Sequence, residues 1–310
     1  MAAYLVRRGL QALVTLWVLL TIAFLLTHLS GDPVVLFLDS EDLQHPEIVA
    51  EMRGKLGLDQ PLPLQYVRFL RKAVVGDFGK SLRHHGSALS LVLQRLPATA
   101  QLAGASLFLA ILVSVPAGTF AAVKAIQVQP LYETPIMLGT LIGQSTPSFW
   151  LGLMLMLAFG LFLGWLPISG RGGIKHLILP AVALGLRPAA YFTRLTRAAL
   201  LDVLSQDYVT VARSKGLSEW LVLARHALRN AMIPVITAIG LSFGRLLGGA
   251  VVIETVFAWP GLGRFAVQAV FNRDFSVVQA AVFVGGLSFV AINLLMDFVY
   301  AYLDPRIRYV

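Results

Sequence analysis

The sequence contains no cysteine. That excludes disulfides, thiolate metal sites and a cysteine nucleophile. Charge is also scarce. Charged residues make up 13% of the 310 positions, against roughly a quarter in ordinary soluble domains. Acids are rarer than bases, 16 against 25, for a formal net charge of +9. The bases sit between oily segments rather than in one water-facing block, which favours membrane orientation over nucleic-acid binding. A Walker A loop is missing too. GDFGKS at 76–81 would need glycine where Val74 stands, and it reads instead as a turn after a helix. No hydrolase elbow, zinc-helix motif or clustered acid pair occurs, which argues against a membrane enzyme. No catalytic residue, metal site or cofactor is expected.

What fills the chain is apolar: 57% of it is hydrophobic. Runs without Asp, Glu, Lys or Arg mark spans at 9–31, 96–123, 134–170 and 275–296. The 96–123 run exceeds a hydrocarbon core of roughly 30 Å at about 1.5 Å per residue, so it tilts or projects. The 134–170 run is too long for one helix, which should stop near Gly164. Two weaker runs are broken by arginine: 177–200 holds Arg187, Arg194 and Arg197, and 231–253 holds Arg245. A charge at the bilayer centre costs about 2.5–3.5 kcal/mol on insertion scales. Such segments survive where the charge faces a bundle interior or a wet cavity. Counting both gives six spans.

Lys and Arg set the orientation. Arg7 and Arg8 precede span one, Lys124 follows span two, and Arg306 and Arg308 follow span six. The connection after span four carries Arg213, Lys215, Arg225 and Arg229. The other side holds fewer bases: Arg171, Lys175, Arg264 and Arg273. Six spans with both termini cytoplasmic fit this bias. The first span could be a cleaved signal peptide, but its apolar stretch is long and no A-x-A site follows. An uncleaved span is the better reading.

Residues 31–95 form a polar external insert. PEIVAEMRGKLG reads as a helix with Pro46 in its first position and Gly57 as its stop. PLQYVRFLRKAVVG reads as an amphipathic second helix. His84 and His85 form a solvated loop or, with lower weight, a metal-binding pair. ETVFAWPGLG (254–263) reads as a tight turn after span five with Phe257 and Trp259 at the membrane surface, where aromatics sit well. Its functional reading is a lid or a partner surface.

The polar stretch DYVTVARSKGLSEWLVLARHALRN (207–230) stands apart from this oily background. From Leu217 onward, Leu217, Trp220, Leu221, Ala224 and Leu228 fall on one helical stripe. Ser218 takes the N-cap, with Glu219 at the positive end of the dipole and Arg225, His226 and Arg229 at the negative end. Gly216 breaks the preceding helix. Such a helix either rests on headgroups or docks into a cytoplasmic partner. Docking is favoured because the flanking spans are the two that carry internal arginines.

Together these stretches resemble, end to end, a permease of a dipeptide/oligopeptide-type ABC importer. The resemblance rests on YLVRRGLQALVTLWVLLTIAFLLTHLSGDP, LGLDQPLPLQYVRFL, GDFGKSL, RLPATAQLA, STPSFWLGL, ARSKGLSE, ETVFAWPGLG and NRDFSVVQ. It implies an all-α membrane protein of the type I ABC importer permease fold, with six transmembrane helices and a helical external segment between spans one and two. The divisions are 1–30, an N-terminal span; 31–95, the external segment; and 96–310, a core of five spans with a cytoplasmic coupling loop at 202–230. ATPase coupling would rest on Ala212, Lys215, Gly216, Leu217, Ser218, Glu219, Trp220 and His226. Against the general permease loop pattern only Ala212, Gly216 and Leu228 match; HALRNAMIP, with Pro234, looks like the peptide-type variant.

The resemblance further implies a plasma (bacterial inner) membrane location. The partners would be a second homologous permease, two cytoplasmic ATPase subunits, an external substrate-binding (lipo)protein and the bilayer, with no nucleic acid. Cargo would be di- or oligopeptides; glutathione or nickel on the same architecture is the alternative. An ion-coupled secondary transporter is less favoured, since Glu133, Glu254 and Asp297 lie near span ends. Arg187 and Arg245 either meet a cargo carboxylate in the pathway, pair with buried acids or backbone carbonyls, or lie nearer the membrane interface.

Overall fold

Prolines start several helices here, and left-handed turns end them. The structure, a computed structural model, describes residues 2–29, 45–56, 58–81 and 83–303. Gly57, the Gly-Asp-Pro at 31–33, Arg306 and Arg308 lie outside the described residues. Helix α1 runs Ala2–Leu29. The polar insert contains α2 (Pro46–Leu56), with proline in its first position as expected, and α3 (Leu62–Val74). Next come α4 (Ala88–Ile126), α5 (Pro130–Ser145) and α6 (Ser148–Leu155), the last continued by a π-helical segment, Met156–Phe162. Helix α7 spans Ile174–Leu204 and α8 Asp207–Ser214. A single turn, α9 (Glu219–Leu221), leads through a second π segment, Val222–Ala227, into α10 (Leu228–Val256). The chain ends with α11 (Leu262–Phe271) and α12 (Phe275–Leu303).

Four described segments are long and apolar enough to cross a membrane: Arg7–Leu25, Ala88–Ile126, Glu219–Gly248 and Phe275–Met296. The pair α5 and α6 makes a fifth if counted as one broken span. Helix α7, with Lys175, Arg187, Arg194 and Arg197, is not among them. Helix α4 is 39 residues long, about 58 Å at 1.5 Å per residue, nearly twice the hydrocarbon core.

The chain divides into two units. One joins Met1–Pro97 to Gly261–Val290. Here α3 lies along α1: Tyr66 Oη is 2.6 Å from Thr21 Oγ1, and Gln65 Oε1 is 3.0 Å from His28 Nε2. GDFGKS is a turn, as expected. Asp77 N–H donates to Lys72 O at 2.9 Å, and Ser81 Oγ donates to Asp274 Oδ2 at 2.5 Å. Asp274 is buried and also accepts the Val277 N–H at the start of α12. His84 stands edge-on to Phe265.

The other unit contains Ala98–Pro260. Helices α4 and α7 meet backbone to backbone in it. A Cβ on Gly118 would lie 2.5 Å from Thr193 O, and one on Gly185 would lie 2.7 Å from Ser106 O. Membrane helices use small residues for this close approach. Helices α5 and α6 are bent by 105° at a short break. Pro147 causes the break by forcing Thr146 out of the helical region, to φ −74° and ψ 123°. The helix after it gives out at Phe162, close to the expected stop. Helix α5 is fastened to α7 by Arg194 donating to Gln144 and by the Arg197–Glu133 ion pair.

One expectation for this unit is wrong. Phe257 and Trp259 do not sit at the membrane surface; they are 1% and 0% exposed. After α10 the chain reverses through Ala258 at φ 51°, with Trp259 N–H donating to Glu254 O at 2.8 Å. This C-cap folds both rings into the core. The indole N–H then finds Ala98 O at 2.8 Å, the partner a buried tryptophan needs. Arg171 covers the same ring at 5.8 Å and donates twice to Gln101 Oε1, at 3.1 and 2.7 Å.

Candidate functional site

The polar stretch folds as a bracket. Its first arm is α8, its corner is Gly216 at φ +78°, and its second arm starts at Ser218. Arg213 closes the corner by donating to Glu219, Nε to Oε1 at 2.9 Å and Nη2 to Oε2 at 3.3 Å. At the open end, Asn230 Nδ2 donates to Tyr208 Oη at 2.8 Å. Ala212 and Val209 turn inward and pack with Leu200, Leu204, Val222 and Ala227 in one apolar cluster. Lys215, Gly216, Ser218, Glu219 and Trp220 are exposed, while Leu217 and His226 are half-buried. Of the expected coupling residues, the structure therefore gathers Lys215 to Trp220 on an open corner. It places Ala212 behind them and His226 further along the second arm. Ser218 occupies the N-cap position without a side-chain capping bond.

The expected apolar stripe is displaced. Trp220 belongs to it on a 3.6-residue period, yet it is 75% exposed. The buried line runs Val222, Ala227, Ala231, Val235, each at 1% exposure or less. Its first step is five residues and the next two are four. The π segment Val222–Ala227 accounts for this, because i→i+5 bonding stacks residues five apart. The second arm is also not a separate helix. It runs on through the π segment into α10, so the open corner is the end of a membrane-spanning rod. Sequence periodicity missed exposed Tyr208 and Val211 on α8, 42% and 52% accessible; their i, i+3 spacing was the available signal.

Arg187 and Arg245 sit on two neighbouring antiparallel helices. Gly170 N–H donates to Phe257 O at 2.9 Å, which holds the start of α7 level with the end of α10. Counting inward at 1.5 Å per residue, Arg187 lies about 20 Å and Arg245 about 17 Å from that end. Both are exposed, and neither makes a hydrogen bond or ion pair with another described residue. Among the described residues, neither a buried acid nor a backbone carbonyl pairs with them. Two acids of this unit have partners of their own: Glu133 pairs with Arg197, and fully buried Glu254 accepts from the Thr99 hydroxyl at 2.5 Å. The exposed faces continue through Tyr191 on α7 and through Leu241 and Val252 on α10.

Two family models match this chain. The model described as "Binding-protein-dependent transport system inner membrane component" covers residues 114–309. Its N-terminal companion covers 1–103. The glutathione transport system permease protein GsiC of Escherichia coli (strain K12) is 42% identical over 311 residues, covering 100% of both chains. GsiC of Salmonella paratyphi A is 42% identical over 313 residues with the same coverage. Among solved structures, an inward-facing form of the MetNI methionine ABC transporter gives a TM-score of 0.60 at 17% identity. The match covers 69% of this chain and 96% of that one. An amino acid ABC transporter gives 0.52 at 18% identity, covering 69% and 94%.

Proposed function

The chain belongs to the family of binding-protein-dependent transport system inner membrane components, and from that premise we propose how it is placed and what it carries. It is a permease subunit of an ABC importer, a multi-pass inner-membrane protein that works with separate ATPase and binding-protein components. It crosses the membrane six times, α7 being the charged fourth span, with both termini in the cytoplasm. The 1–30 segment is the first span, 31–95 the external segment and 96–310 the core. One homologous permease completes the pathway, and two ATPase subunits drive it from the cytoplasm.

The coupling loop, 202–230, receives the ATPase on its open corner. The observation that carries this is that Lys215, Gly216, Ser218, Glu219 and Trp220 are exposed together at the end of the α9–π–α10 rod. A partner bound there moves a span directly, which is what coupling between two sites requires of a shared element. The inward side of this rod is taken by the protein's own core, and the exposed Trp220 remains as an apolar surface for a partner to cover. Cargo is of the peptide class, di- or oligopeptides or glutathione, the last being what the relatives with 42% identity are named for. It passes along the exposed faces of α7 and α10, beside Arg187 and Arg245.

The absence of native cysteine makes a clean test possible. Single cysteines at Ser218 and Trp220 should form cross-links with the ATPase subunit in membranes, and a cysteine in the external segment should not. Labelling of Ser218→Cys from outside the cell, or no ATPase adduct at either position, would overturn the placement.

A further inference from the structure

We infer that the pathway wall of this permease is a filter for cargo charge, favouring net-anionic peptides and disfavouring cations. The inference rests on the reading of α7 and α10 as that wall. Arg187 and Arg245 lie at matched depth, about 20 and 17 Å from one end of two paired helices. Both are open to their surroundings and without a partner among the described residues. A guanidinium cannot shed its charge, and far from bulk water it needs an anion or a wet cavity. Glu133 is paired with Arg197, and Glu254, fully buried, accepts from Thr99. The two exposed faces therefore present charge of one sign.

A water-filled channel with low-dielectric walls and charge of one sign concentrates ions of the other. The guanidinium fork also matches a carboxylate two-point to two-point. Cargo that brings a surplus carboxylate supplies what the wall lacks. A divalent metal ion, the alternative cargo on this architecture, carries the wrong sign. Tyr191, one turn from Arg187 and 41% exposed, adds an aromatic surface with a hydroxyl on the same face.

The test uses the whole importer in proteoliposomes with its binding protein, ATPases and second permease. Cargo is saturating, so the binding protein's own preference drops out. Three probes of equal length differ in net charge: Ala-Asp-Ala, Ala-Gly-Ala and Ala-Lys-Ala. Maximal uptake should fall in that order, by about fivefold per unit charge. That is the ratio given by ~1 kcal/mol, the energy of two charges 4 Å apart in a water-like medium. The double change Arg187→Gln with Arg245→Gln should level the three rates, and the double change to Glu should invert them.

An order that survives in the Gln variant overturns the filter. So does an equal loss for all three probes, whether or not the second permease still co-purifies; loss of co-purification would assign the arginines to the subunit contact instead. Single cysteines at Tyr191 and Leu241 separate this from failure of the underlying reading. If neither reacts with a water-soluble thiol reagent in the assembled importer, α7 and α10 are not the wall at all.

Discussion

Val222 and Ala227 stand on one line of one helix although they are five positions apart, and both are fully buried. A π segment absorbs one extra residue while leaving the registers before and after it in phase. Deleting Ala224 would shorten the step to four, a spacing that an ordinary α-helix also keeps on one face. The deletion variant should therefore fold with Val222 still buried. Inserting an alanine after Ala224 should swing the bracket by about 100° and pull Val222 out of its cluster, at a cost of about 1.5–3 kcal/mol. Thermal unfolding in detergent checks the asymmetry; equal losses from deletion and insertion would contradict it.

The Arg213–Glu219 pair closes the bracket across Gly216, but its side chains are 37% and 73% exposed. Exposed pairs contribute about 0–1 kcal/mol, so neither Arg213→Ala nor Glu219→Ala should change stability by more than that. Coupling is the sensitive quantity. Each single change should lower transport per ATP hydrolysed, and the swap Arg213→Glu with Glu219→Arg should recover it in part. A swap no better than the single variants would show that the pair does not shape the docking corner.

Trp259 offers a graded series. Trp259→Phe keeps most of the ring but abandons the hydrogen bond to Ala98 O, which should cost about 1 kcal/mol. Trp259→Ala should cost about 3–5 kcal/mol, typical of truncating a large buried aromatic. Melting temperatures of the purified permease measure both. A phenylalanine variant as unstable as the alanine one would mean that the N–H, and not the packing, holds the turn.

Val128 ends α4 at φ 52°, a conformation in which a β-branched side chain is strained. Val128→Gly should stabilise the protein by about 1 kcal/mol through relief of that strain. A fall in melting temperature would refute the assignment of strain to this residue.

Much of the helical order was readable because its causes are local. Pro46 starts a helix and Gly216 turns the loop, each through its own backbone restriction; the break at Thr146-Pro147 was not expected within the 134–170 run, although the proline was the available signal. The apolar runs gave the long helices for the same reason. What escaped were effects that a fixed 3.6-residue period or a short window does not contain. The π segment moved Trp220 from the inward stripe to the surface. Trp259 looked like an interfacial aromatic beside Pro260, but its partner, Ala98, is 161 positions away. The isolation of Arg187 and Arg245 was equally invisible, since it depends on which acids Arg197 and Thr99 had already claimed. Of the residues proposed for docking, Lys215 to Glu219 followed from the glycine and the charges around it. The inward turn of Ala212 follows only from the folded cluster.

The right-angled step at Thr146 and Pro147 has a consequence for the lipid around this protein. Neither leg, about 24 and 22 Å long, reaches across a hydrocarbon slab of roughly 30 Å. At the step, peptide dipoles lose their helical neighbours, and acyl chains offer them nothing in exchange. Wherever that step lies within the hydrocarbon, water or another stretch of polypeptide has to stand beside it in place of acyl chains.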